Sequence, residues 1–263
     1  MSKIIININL ELWNISMTII CGINGNSNII LGCDSWSYKQ DLKYGGPSKK
    51  YNTFSNNKYS IGVVSAGNSH VFNDTSKKLA GTVSDYVDFL YNKHLANITS
   101  VGEFSTLLSN EFSKELILVR EVVIDKEQDE KKKELLRNTY TIYKFLLGGY
   151  DAKNPFLEYI ILALDQDYQV NHQKKSIPPN ALYFDGSPIV KGNQGFKIAN
   201  NYKKHFGNLN KNQRVIKNYM KEMVAYDIKN NPERAPDYTG RTIGGDLWML
   251  TIRKKASSVK QFV

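Results

Sequence analysis

The sequence predicts an α+β fold, a four-layer α/β/β/α sandwich in which two antiparallel sheets are flanked by helices. Three observations lead there. Antiparallel strand signals fill the amino-terminal quarter, helical periodicity arrives as a block, and strand signals return in the second half around one long amphipathic helix. A doubly wound parallel sheet would alternate strand and helix singly, and this chain does not.

The elements follow in order. Two β-rich runs, Thr18 to Asn24 and Asn28 to Cys33, are separated by Gly25, Asn26 and Ser27, a turn whose residue types tolerate positive φ and so join strands as a hairpin. A third run, KYSIGVVSAG, ends at Gly67. Helical spacing of apolar residues is read over Phe72 to Thr82, Val83 to Ala96 and Val101 to Ile117. Residues 125–137 are a charged run, read as a solvated helix or insertion. Strands return at Thr139 to Leu147 and Glu158 to Leu164, with Gly148, Gly149 and the DAKNP stretch supplying turn chemistry. A helix from Lys211 to Ile228 precedes GGDLWMLTIRK, the closing strand. With no internal repeat and no linker-like stretch, residues 18–263 are read as a single domain.

Composition excludes several classes. No run approaches the ~18 consecutive apolar residues of a membrane span. The net charge of +10 is spread along the chain, with short runs only at Lys131 to Lys133 and Arg253 to Lys255, which argues for solubility before nucleic-acid binding. Cys21 and Cys33 match neither a disulfide framework nor a zinc ribbon, and four scattered histidines lack metal-ligand spacing, so neither a metal nor an organic cofactor is expected. Residues 1–17, the first sixteen of which alternate apolar with Asn or Glu, carry no basic start or continuous apolar middle of a secretory signal. They are read as a leader or as a start codon placed too early, and the protein as cytoplasmic.

Four positions carry a pattern: Thr18 at the head of the hairpin, Asp34 in GCDSWS, Lys50 in SKKY and Gly67 in VSAGN. Thr18 to Asp34 and Asp34 to Lys50 are both intervals of sixteen residues. On these residues the chain resembles the β-type subunit of the proteasome core particle and its bacterial relatives, within the N-terminal-nucleophile hydrolase superfamily. The likeness covers about the first fifty residues after Met17; it is weaker at LLGGYDAKNPFLEYIILALD and GGDLWMLTI, and elsewhere extends only to the order of elements. The resemblance implies a threonine-type peptidase with Thr18 as nucleophile, Asp34 and Lys50 as supporting charges and Gly67 in the oxyanion hole. It also implies substrate contacts from Ser37, Tyr38 and Ser48, a homo-oligomeric ring, a peptide or amide substrate and an unfoldase as partner.

Chemistry assigns these residue types the same roles. A Thr hydroxyl is a weak nucleophile until a neighbouring base takes its proton, and a free α-amine on the same residue is such a base. That amine titrates near ~7.7–8.0 unperturbed, and a cation beside it favours its neutral form. Asp34 would hold Lys50, and the Gly67 N–H would face the oxyanion of an acyl-transfer intermediate. Each residue alone has a plainer reading: Thr18 as a β-branched strand residue, Asp34 as a turn former, Lys50 as a solvated charge with Lys49 as its rival, Gly67 as a turn glycine.

Two departures from the family pattern stand. Met17 occupies the position where self-cleaving precursors carry Gly, and PDYTGRTIGG provides only Asp237, Thr239 and Thr242 as stand-ins for the family's Asp and Ser, with Ser187 as a candidate for another supporting Ser. The alternatives to a ring peptidase are therefore an amidohydrolase of the same superfamily acting on a small amide, and a catalytically silent scaffold subunit.

Overall fold

The computed structural model describes residues 18–25, 27–38, 45–72, 79–131, 133, 142–151, 154–165, 167, 169–186, 190, 192–202, 205–230, 245–254 and 256–262. Strands β1 (Ile19–Asn24) and β2 (Ile29–Asp34) form the expected hairpin, closed where the Gly25 N–H donates to the Asn28 carbonyl at 2.9 Å. Every residue of both strands is buried, because apolar side chains stand on both faces and each face must be covered.

Strands β3 (Trp36–Tyr38) and β4 (Gly45–Pro47) pair as a short ribbon, followed by β5 (Tyr51–Ser55) and β6 (Tyr59–Gly67). A second ribbon pairs β7 (His70–Phe72) with β8 (Leu79–Thr82). The helix expected from Phe72 to Thr82 is therefore corrected. Thr82 is the N-cap of α1 (Val83–His94) in a reciprocal capping box with Asp85, which starts the helix only at Val83. Helix α2 (Val101–Val119), capped by Ser100, runs into a π-helical turn at Arg120–Ile124.

Then come β9 (Ile142–Asp151), β10 (Asn154–Leu164), β11 (Val170–Ser176), β12 (Leu182–Gly186), α3 (Asn193–Tyr202), α4 (Leu209–Asn230), β13 (Leu247–Arg253) and β14 (Ala256–Phe262). The first sheet has the order β12-β1-β2-β13-β14 and the second β11-β10-β9-β6-β5, with antiparallel pairing throughout.

Three apolar clusters hold these elements. Ile20, Leu31, Val64, Leu146 and Ile161 fill the space between the sheets. Helices α1 and α2 cover the second sheet through Val87, Phe104 and Phe112 against Phe145 and Ile160. Helix α4 covers the first sheet through Tyr219, Met220 and Met223 against Ile23 and Ile30.

The regular four-layer sandwich expected from sequence is corrected to a mixed α+β fold around two five-stranded antiparallel sheets. Among the described residues only four α-helices are present, and they do not make continuous outer layers. The edge strands β11 and β14 are mostly polar and mostly exposed, so they carry little apolar surface for a helix to cover.

Candidate active site

Thr18 stands immediately before β1, Asp34 ends β2, and Lys50 lies just before β5, so the two sheets bring the three together from separate strands. Thr18 is 2% exposed, Asp34 0% and Lys50 8%. The Lys50 ammonium donates to the Thr18 hydroxyl oxygen at 2.5 Å and to Asp34 Oδ1 at 3.1 Å. The Thr18 hydroxyl donates to the same Asp34 oxygen, and the Ile19 N–H reaches it at 3.3 Å. Asp34 thus touches the hydroxyl itself, beyond the Lys50 pairing expected from sequence.

Burial makes this pair consequential. Two charges removed from water are tolerated only when their attraction and hydrogen bonds offset the lost hydration, and here each has both. Lys49, the rival cation, points elsewhere: its Nζ lies 3.1 Å from Asp88 of α1 at an exposed site. Adjacent residues of an extended chain project to opposite sides, which separates the two lysines.

Gly67 ends β6 at φ +91°, a conformation that favours glycine, and a Cβ there would collide with the Ile142 carbonyl of β9. Gly67 borders a recess also lined by Ser48, Lys50, Ser65 and Ser69. Ser48 donates its N–H to the Ser35 carbonyl at 2.7 Å. Ser37 and Tyr38 stand on β3, paired with Gly46 and Gly45. Ser35 Oγ accepts from the Asp246 N–H at 2.9 Å, tying the start of β13 to the end of β2. Residues 1–17, Ser187, Asp237, Thr239, Thr242 and, of the charged run, residues 132 and 134–137 lie outside the described residues.

One constellation had no place in the sequence reading. Lys144 Nζ of β9 lies 3.0 Å from Asp185 Oδ1 of β12, both side chains buried. The Tyr183 hydroxyl donates to Asp185 Oδ2 at 3.2 Å and the Gly186 N–H to Oδ1 at 2.5 Å. A lysine inside the otherwise apolar IYKFLLGG run was the signal available.

Both cysteines are free and buried. Burial, with its neighbour Cys33, pushes the Cys21 thiol well up, and burial, with Asp34, pushes up that of Cys33, so both are neutral and unreactive at ordinary pH. His70, beside the recess and hydrogen-bonded through Nδ1 to Ser69 Oγ at 2.8 Å, is held below its usual 6.5 mainly by burial, against an upward pull from Asp85. Among the described residues no cluster of three or more His, Cys, Asp or Glu could hold a metal, and no helix is long and apolar enough to cross a membrane.

No family model and no curated protein matches the chain. Solved structures do. Anbu, described as an ancestral beta-subunit, from Yersinia bercovieri is 15% identical with a TM-score of 0.56, over 92% of this chain and 86% of that one. The helical assembly of the Anbu complex from Pseudomonas aeruginosa gives 14% and 0.57, over 93% and 86%. An Anbu Gly-1 mutant from Hyphomicrobium sp. strain MC1 gives 11% and 0.53, over 93% and 86%.

The sequence resemblance to the proteasome β-type subunit and its N-terminal-nucleophile superfamily is corrected by these findings: the structural neighbours are Anbu proteins. Equal intervals within about fifty residues report strand and hairpin lengths, which do not by themselves single out one family. Likeness at 11–15% identity carries the fold alone, and the fold is that of the Anbu structures.

Proposed function

We propose that the protein hydrolyses peptide or amide bonds, with Thr18 as nucleophile once its α-amine is free. The observation that carries this reading is the Thr18 hydroxyl held between a buried ammonium and a buried carboxylate, with the Lys50 contact at 2.5 Å. In the first step Oγ1 attacks the substrate carbonyl carbon and the hydroxyl proton passes to the α-amine. The carbonyl oxygen becomes an oxyanion, for which the Gly67 N–H is the proposed donor. The C–N bond then breaks, the leaving amine takes up that proton, and water hydrolyses the resulting ester to release the acid and restore Thr18. Lys50 stabilises the oxygen as it loses its proton and disfavours protonation of the nearby amine; Asp34 holds both groups. Ser48, Ser37 and Tyr38 are the proposed substrate contacts.

Self-association belongs to the same reading, supported by the Pseudomonas aeruginosa neighbour, whose complex forms a helical assembly. The ring expected from sequence is the alternative geometry, and an unfoldase is the partner that would feed a closed ring. Two free cysteines suit a cytoplasmic setting. A silent scaffold is the second reading, because a peptide bond from Met17 to Thr18 leaves no free amine to act as base. Intact-mass analysis of the purified protein beside an assay with fluorogenic peptidyl amides separates the two. A chain beginning at Thr18 with activity supports the hydrolase; a chain that keeps residues 1–17 and is inert supports the scaffold.

A further inference from the structure

Two backbone seats define the two sides of the site. On one, Gly186 at φ +143° packs so tightly on Thr18 that a Cβ would collide with the Thr18 carbonyl oxygen, and Gly186 is the β12 partner of Ile19. On the other, Gly67 packs on the Ile142 carbonyl of β9, and the next N–H, that of Asn68, donates to the same oxygen at 2.8 Å. The nucleophile is thus seated against β12, in one sheet, and the recess glycine against β9, in the other.

Lys144 and Asp185 are the residues through which β9 and β12 meet by charge. Lys144 pairs in register with Ala66, one residue from Gly67, and Asp185 pairs with Ile20, two residues from Thr18. Lys144 is 1% exposed and Asp185 6%. Asp185 accepts from Lys144, the Tyr183 hydroxyl and its neighbour Gly186 N–H, a set of donors that fixes the direction of the carboxylate. Burial and the adjacent Asp185 push the Tyr183 phenol up, so it remains a donor.

We propose that Lys144 and Asp185 form a positioning strut that sets the gap between the Thr18 hydroxyl and the Gly67 N–H across the two sheets. The catalytic part of this inference rests on the reading of Thr18 and Gly67 given above. The physical need is specific. Thr18 leads into a strand of one sheet and Gly67 ends a strand of the other. The layer between the sheets is mostly aliphatic packing that sets no direction, with the Lys50–Asp34 pair beside Thr18 as the other buried charge contact. A misplacement of about 1 Å can cost on the order of a hundredfold in rate. An ion pair fixes distance and direction where aliphatic packing fixes neither.

The test uses the full chain as purified, with Lys144→Met, Lys144→Arg and the double variant Lys144→Met/Asp185→Asn. The double leaves no buried unpaired charge and so survives if the single variant fails to fold. Two readouts are taken: hydrogen–deuterium exchange by mass spectrometry, and kcat and KM on fluorogenic peptidyl amides. The strut predicts faster exchange confined to segments 18–24, 64–70 and 183–186, a kcat lower by roughly tenfold to a hundredfold at a KM within about twofold, and recovery of most of the loss by Lys144→Arg. Unchanged exchange, loosening spread over both sheets, or full kcat in the folded double variant overturns it. A wild type that is inert, and no different as Thr18→Ala, removes the hydrolase reading instead, and the exchange pattern then decides the strut by itself.

Discussion

The Lys50 ammonium lies 2.5 Å from the Thr18 hydroxyl oxygen although the two residues are 32 positions apart and lead into strands of different sheets. Asp34 Oδ1 receives both, so one carboxylate oxygen is the meeting point of the proposed nucleophile and its cation. Losing the Thr18 hydroxyl leaves the Lys50–Asp34 pair intact, whereas losing either charge takes a buried partner from the other, and that makes each role separately measurable.

For the nucleophile, Thr18→Ala is expected to lower amide hydrolysis by a factor on the order of 10³ or more, while self-association and thermal stability stay close to wild type. Thr18→Ser keeps a hydroxyl and retains partial activity. Turnover by the alanine variant at the wild-type rate would take Thr18 out of the mechanism.

For the buried pair, Lys50→Met strands a carboxylate that is fully buried and is expected to cost about 3–5 kcal/mol of stability. Asp34→Asn combined with Lys50→Met costs less than the lysine change alone, since no charge remains unpaired. Denaturant titrations of the three proteins check the ordering, and a single variant as stable as the double would contradict it.

For the recess glycine, Gly67→Ala forces a Cβ into the Ile142 carbonyl at a positive φ, with an expected loss of about 1–3 kcal/mol. Gly81, whose added Cβ would meet only ordinary contacts with Asp85, is the control: Gly81→Ala should move the denaturation midpoint much less. Equal midpoint shifts in the two variants would refute the steric account.

For pH, burial lowers the folded-state pKa of His70 below 6.5. Between the folded and unfolded values the unfolded chain binds the extra proton, so this residue takes stability away as pH falls through 6.5 and leaves it untouched well above. His70→Gln should flatten the fall of the melting temperature between about pH 7 and pH 5. Parallel curves for variant and wild type would show that His70 does not carry that slope.

For the thiols, Cys21 and Cys33 are expected to resist a maleimide in native protein at pH 7.5 and to react fully in denaturant, because burial keeps both protonated and out of reach. Rapid native labelling of either would mean that the hairpin opens.

Much of this molecule was legible in its chain order. The Gly25 to Ser27 turn between two β-rich runs announced β1 and β2, apolar spacing announced α1 and α2, and the region of α4 showed the same period. These signals are local: turn conformation and amphipathic repeats act over a few residues. The short strands β3, β4, β5, β7 and β8, the exposed strands β11 and β14, the buried strand β12 and helix α3 escaped, because each is brief or polar and is held by what it packs against.

The order of strands along the chain and the equal spacing of Thr18, Asp34 and Lys50 were determined by the sequence itself. Only the tertiary structure decided that Lys50 and not Lys49 meets Thr18, that Asp34 touches the hydroxyl directly, and that Lys144 finds Asp185, 41 residues away across two sheets. Such meetings depend on which sheets stack and in what register, a sum of many weak apolar contacts that leaves no period or motif at the residues it brings together.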